Sequence, residues 1–373
     1  MSSRVSLRAA LLFAGCLVVF GSTAIAGCRA VTIGLLGEFK RPTARTTQPF
    51  GEEIERGARI GLREQREQEG DVCLRAEIID IGNSVANIPD LIRQSARKKG
   101  IRLFLGLGTS DQALMAGDAL RETGSVLLTP TASSERLKAG DRRTILLFPG
   151  NSEIAEFMAL ESRRSGIDSV VVIFGENNAY SREMAGLFSR AFQSAGGKIA
   201  HSIPIRFGHF SLESSLAILR RNDYTHLFLP LFELDVARII SALREAGVSK
   251  KFIGADSWGT SSKVIRAMVD GIQFEALLPS IYSSGIDTRE NREFVTKYRA
   301  AFASEPTDLA AFSYDGIRIM QRFAAACPKQ PSARQEVEAC LQKALPFKSV
   351  TGDISSRQGL ALERPLWGMK KWK

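Results

Sequence analysis

The chain has 373 residues, 44% of them apolar and 24% charged, with 50 lysines and arginines against 40 aspartates and glutamates, for a formal charge of +10. That balance excludes a disordered tail or a single small module, and the length suits two domains with separate cores. It also speaks against nucleic-acid binding, because the basic residues are scattered among glutamates, as in "EEIERGARIGLREQREQEG", the pattern of a solvated helix face.

Taken in chain order, residues 1–26 read as a secretory signal peptide. Arg4 and Arg8 precede the apolar run "AALLFAGCLVVFG", and Ala24 and Ala26 supply an A-x-A cleavage signal. Gly15, Gly21, Ser22 and Thr23 interrupt the run, which argues against a retained anchor, and no later stretch is long and apolar enough to span a bilayer.

Cleavage removes Cys16 and leaves Cys28, Cys73, Cys327 and Cys340, an even count suited to an oxidising compartment. Cys28 and Cys73 each precede a predicted strand, "AVTIGLL" and "LRAEIID", whose parallel pairing brings their starts together. Cys327 and Cys340 flank a short Pro-containing connection, so bridges 28–73 and 327–340 are expected. "IAGC", ending at Cys28, also reads as a lipobox; a lipid there would take the partner of Cys73, and the soluble form is the favoured reading.

The next strand-like run opens "LFLGLGTSDQALMAG", which passes from a strand through two glycines into a helix and aims unpaired N–H groups at one point. A dinucleotide fingerprint needs a third glycine where Asp111 stands and an acid about 20 residues on, but the following strand, "SVLLTP", ends in Thr129 and Pro130. No cofactor is therefore expected, and a smaller anion such as a carboxylate suits the turn. "LLFPGNSEI" follows as a short crossing with Pro149 and Gly150, better suited to a hinge than a tether.

The alternation then repeats. "SVVVIFG" leads to Met184, Leu187, Phe188, Ala191 and Phe192 at helical spacing; "THLFLPL" leads to Val236, Ile239, Ile240 and Leu243; "KKFIGAD" leads to Val264, Ile265, Met268 and Val269. Continuous apolar strands alternating with helices imply an α/β fold with parallel sheets covered on both faces. The chain carries no G-x-S-x-G, H-E-x-x-H, C-x-x-C or P-loop, and His201, His209 and His226 lack metal-ligand spacing, so neither catalysis nor a metal site is expected.

The motifs "QPFGEEIERGARIGLRE", "GTSDQA", "LLTPTASSERL", "GENNAYSREMAG", "LPLFELDVARIISALREAG", "FIGADSWGTSS" and "VTGDISSRQG", in this order over most of the mature chain, resemble those of the leucine/isoleucine/valine-binding type of periplasmic solute-binding protein, the receptor subunit of an ABC importer. The resemblance implies two Rossmann-like lobes joined by three crossovers, with residues 27–150 and 280–349 in the first and 151–279 and 350–373 in the second. It further implies a periplasmic monomer that binds an amino acid or related carboxylate or amide between its lobes and delivers it to an ABC permease in the inner membrane. A sensor that reports the ligand to a receptor or regulator is the alternative.

By the same resemblance Ser110 binds the ligand carboxylate, Ser133 its polar end with Ala132 offering backbone beside it, and Asp256 its ammonium. Tyr180 and Phe232 are implied contacts from the second lobe, Phe50 an aromatic residue at the cleft mouth, and Trp258 a side-chain pocket candidate. Donors on one lobe and an acceptor on the other suit a zwitterion and would couple its binding to closure. Each residue also has an ordinary alternative: Ser110 and Asp256 as helix caps, Ser133 as a turn former, Phe232 as packing, Tyr180 as an exposed loop residue. The chain departs from the family pattern in the loop carrying Glu38, Lys40, Arg41 and Arg45, in Phe for Tyr at 232 and in Asp for Glu at 256, which leaves the ligand's identity open.

Overall fold

The strand-like runs become the centres of two sheets, each with helices packed on it. A computed structural model describes residues 28–39, 50–67, 71–82, 84–140, 142–207, 209–354, 357–363 and 368–372. Residues 1–26, expected to be a signal peptide, and Lys40, Arg41 and Arg45 lie outside the described residues.

The first sheet contains β1 (Arg29–Gly37), β2 (Val72–Asp80), β3 (Leu103–Gly106), β4 (Val126–Thr129), β5 (Thr144–Leu146), β11 (Arg357–Gln358) and β12 (Ala361–Leu362), in the spatial order β11-β12-β5-β4-β3-β1-β2. The second contains β6 (Ser169–Gly175), β7 (Lys198–Ile205), β8 (His226–Leu229), β9 (Lys251–Gly254), β10 (Ala276–Pro279) and β13 (Met369–Trp372), in the order β13-β10-β9-β8-β6-β7. Pairing is parallel except between β11 and β12 and between β10 and β13. Both sheets thus run second, first, third, fourth, fifth strand, the flavodoxin-like doubly wound order. Ligands of such sheets bind at the carboxyl ends beside the switch point, here between β1 and β3 and between β6 and β8.

The helices are α1 (Phe50–Glu67), α2 (Ile88–Lys99), α3 (Ser110–Thr123), α4 (Asn151–Arg164), α5 (Ala179–Ser194), α6 (Leu216–Leu219), α7 (Glu233–Glu245), α8 (Ser257–Met268), α9 (Arg289–Phe302), α10 (Asp308–Ala326) and α11 (Arg334–Ala344). α10 is apolar nearly all round and correspondingly buried. It meets α1 so closely that a Cβ on Gly57 would stand 1.9 Å from the Ala310 carbonyl oxygen, so only glycine fits there.

The chain passes from the first sheet to the second between β5 and α4, returns between β10 and α9, and crosses again between β12 and β13. Residues 350–373, expected wholly in the second lobe, are divided. Ala361 pairs with Leu146 of β5, so β11 and β12 extend the first sheet, and β13 alone joins the second.

Cys28 is bonded to Cys73 and Cys327 to Cys340, each pair with its Cα atoms 5.7 Å apart. The first bond follows from register, because Ala30 of β1 lies opposite Cys73 of β2. Among the described residues no helix is long and apolar enough to cross a membrane.

Candidate ligand site between the two sheets

The turn after β3 is shaped by its backbone. A Cβ on Gly106, whose φ is +142°, would lie 1.9 Å from the Leu36 carbonyl oxygen, and Leu107 takes a left-handed φ of +59° that leucine rarely adopts. Two hydrogen bonds hold Leu107 there: its N–H donates to Leu36 O (3.0 Å), and its carbonyl accepts from Thr129 Oγ1 (2.8 Å). The strained turn delivers Gly108, Thr109 and Ser110 to the strand ends as α3 begins. Thr109, not Ser110, caps that helix, accepting from Gln112 N–H at 3.4 Å. The Ser110 Oγ instead accepts the N–H groups of Ser133 (3.4 Å) and Ser134 (3.2 Å) from the turn after β4. With its lone pairs engaged, its own O–H is directed to donate elsewhere.

The second lobe supplies a different set. Tyr180, in the first turn of α5, donates its hydroxyl to Asp256 Oδ1 at 2.6 Å. Asp256 immediately precedes α8 but makes no side-chain cap, so the capping alternative does not hold. Burial pushes its carboxyl up to about 6; the Tyr180 hydrogen bond opposes the rise and the nearby Asp308 charge adds to it. Burial, together with the Asp256 charge, raises the Tyr180 phenol well above its ordinary value. Phe232 stacks on Tyr180 with ring centroids 5.7 Å apart.

Ser110, Ser133, Tyr180, Phe232, Asp256 and Phe50 line one small cavity of about 40 Å³, room for a few water-sized groups. Thr109, Thr131, Phe148, Ser257, Asp308 and Leu309 line it too and were not singled out from the sequence. Two expected residues face elsewhere. Trp258 is fully buried in the second lobe's core, its indole N–H donating to Leu229 O (3.0 Å) and its ring meeting Trp372 edge-on. The Ala132 N–H turns inward to Thr129 Oγ1 (3.3 Å), so it offers nothing to the cavity.

Beside the cavity the lobes also hold each other directly. Asp111 of α3 accepts Asn178 Nδ2 (2.5 Å) and the Ala179 N–H (3.3 Å) at the start of α5. Glu183 of α5 accepts the Glu135 N–H (3.1 Å) and Asn151 Nδ2 (2.7 Å), while Glu135 accepts the N–H (3.0 Å) and Oγ (2.6 Å) of Ser152 in α4. These carboxylates meet helix starts, where negative charge is favoured. Among the described residues no cluster of histidine, cysteine, aspartate and glutamate has metal-binding geometry.

Two doubly wound sheets whose carboxyl ends face one cavity define a bilobal solute-binding protein. The sequence pattern of the periplasmic binding protein family matches residues 30–370, and the chain belongs to that family. It is 27% identical over 350 residues to the Leu/Ile/Val-binding protein BraC3 of Rhizobium johnstonii, covering 92% of each chain. It is 21% identical to Leu/Ile/Val-binding protein homolog 1 of Brucella suis over 95% of this chain and 93% of the relative.

Similar folds include the branched-chain amino acid transporter substrate-binding protein LivJ of Streptococcus pneumoniae in complex with isoleucine (TM-score 0.77, 18% identity, 90% and 94% coverage). A solute-binding protein of an ABC transporter from R. palustris in complex with benzoate is comparably close (TM-score 0.76, 18% identity, 92% of each chain). The family and fold are those of non-enzymatic, extracytoplasmic solute-binding receptors of ABC transporters.

Proposed function

We propose that the protein binds a small amino acid or a related amine-bearing solute between its lobes and delivers it to an ABC permease. The supporting observation is the polarity of the cavity: hydroxyl and helix-start N–H donors on the first lobe, the Asp256 carboxylate on the second. A zwitterion satisfies both ends only when the lobes are together, so binding favours the closed arrangement that a permease distinguishes. Ser110, Ser133, Tyr180, Phe232, Asp256 and Phe50 are the proposed contacts. The engagement of Cys28 with Cys73 supports a soluble mature chain released by signal cleavage, and the reading is of a monomer.

A thermal-shift screen of the mature chain against amino acids, amides and small carboxylates tests this. A ligand at 100 times its Kd stabilises by about 2.7 kcal/mol. Asp256→Asn is expected to weaken amine-bearing ligands by about 2–5 kcal/mol while leaving the melting of the free protein within a few degrees. An unchanged response in that variant removes Asp256 from the site.

A further inference from the structure

We infer that the solute is an amino acid of glycine or alanine size, and that Phe207, which lies outside the cavity, sets this limit by backing the Phe232 wall. The inference rests on the reading of this cavity as the solute site. The cavity holds about 40 Å³, and each water-sized group needs roughly 10–15 Å³. That is room for an ammonium and a carboxylate with little beyond a methyl group, so a branched side chain enters only if a wall gives way.

The second-lobe wall is a column of rings fixed at both ends. Phe207 donates its N–H to Asn177 Oδ1 (2.9 Å). Its buried ring lies over Gly175 at the end of β6, where a Cβ would stand 2.5 Å from it. Phe232 stacks on Phe207 with centroids 5.9 Å apart and on Tyr180 at 5.7 Å, and the Tyr180 hydroxyl is tied to Asp256 (2.6 Å). With a ring on each face, Phe232 cannot swing back without displacing Phe207. Across the cavity, Phe148 packs on Phe312 in the core of the first lobe (4.9 Å). Spreading the lobes is no easier, because Asp111 holds the start of α5 through Asn178 and Ala179, and a bulkier solute would cost those hydrogen bonds. Extra carbons forced into a site with such walls are unfavourable.

Isothermal titration of the mature chain with glycine, alanine, valine and leucine tests this. Wild type is expected to bind glycine or alanine, and leucine at least about tenfold more weakly. Phe207→Ala frees the back of Phe232 and is expected to tighten leucine about tenfold while glycine stays within about threefold. A merely structural loss would weaken both and produce no such gain. Phe207→Leu moves the ratio in the same direction should the alanine variant melt early, and Phe207→Tyr, which keeps the ring, retains the wild-type ratio.

Leucine binding wild type as tightly as alanine, or a leucine-to-alanine ratio within about twofold of wild type in both Phe207→Ala and Phe207→Leu, overturns the inference. Asp256→Asn separates it from the reading of the site. If leucine binds wild type best and Asp256→Asn loses it, the size limit falls and the site reading stands. If Asp256→Asn leaves alanine unchanged while Phe207→Ala moves the ratio, the size limit stands and the role of Asp256 falls. If none of these amino acids binds wild type, both fall.

Discussion

The two lobes share a strand order but are held together by different means. Both disulfides lie in the first lobe, one tying β1 to β2 and one tying the end of α10 to α11. Rings pack in both lobes, Phe294 with Tyr314 (4.6 Å) and Tyr298 with Phe302 (4.8 Å) in the first, but among the described residues the second lobe has no disulfide and depends on rings alone: Phe188 stacks on Phe192 (5.4 Å) and Phe228 (4.0 Å), and Trp372 meets Trp258 (6.0 Å) and Phe274 (5.2 Å) edge-on. A cross-link acts chiefly by restricting the unfolded chain, whereas a ring acts through native packing. A difference recurs at the cavity. The first lobe lines it with hydroxyls fixed by backbone hydrogen bonds, with Phe50 and Phe148 and with the start of α10, and the second lines it with the Tyr180 phenol, the Asp256 carboxylate to which it is hydrogen-bonded, and Phe232.

Truncation of the second lobe's largest buried ring breaks this comparison most directly. Trp258→Ala is expected to destabilise by about 3–5 kcal/mol, measured by urea unfolding, and a loss below about 1 kcal/mol would contradict its place in the core. The counterpart in the first lobe is Cys28→Ser combined with Cys73→Ser. Opening a loop of sequence separation 45 is expected to cost about 3–4 kcal/mol. Here the readout that matters is the unchanged affinity for an amine-bearing ligand once the protein is folded, because the bond lies at the strand starts, away from the cavity.

The smallest of these effects is pH dependence. Burial raises Asp256 to about 6, from the ordinary aspartate value of 3.8. In the free protein its ionised form therefore costs stability above pH 6, and the cost is relieved as pH falls from 6 towards 4. Binding an ammonium needs the ionised form, so affinity is expected to hold above about pH 6 and to decline by up to about tenfold per unit below it. Titrations at pH 5 and pH 7.5 check this, and Asp256→Asn abolishes the difference. Equal affinity at the two values would mean that the ligand does not engage this carboxylate.

Much of this arrangement was legible in the sequence because parallel strands are continuous apolar runs and their ligands lie at the loops that follow them. Ser110, Ser133, Tyr180, Phe232 and Asp256 all follow strands, and all five line the cavity. Trp258 was misread because it lies two residues beyond Asp256 on a helix, a rotation of about 200° that turns it to the core. Asp308 was passed over because it follows a capping threonine at the head of a helix, remote from any strand end, and looks like an ordinary first-turn acid. The hairpin of β11 and β12 was missed because strands of two residues carry no periodicity. Its membership of the first sheet is decided by a single pairing with β5.

The clasp that Asp111, Glu135 and Glu183 make between the lobes bears on how much a bound solute has to contribute. These carboxylates and peptide groups belong to the polypeptide itself, so whatever bias they give toward this arrangement of the lobes is the same for every solute. A solute then has only to supply the remaining free energy to tip the balance, and weak ligands gain apparent strength from it. The cost falls on discrimination: the more the clasp contributes, the larger the share of empty protein that already has the shape of the loaded one.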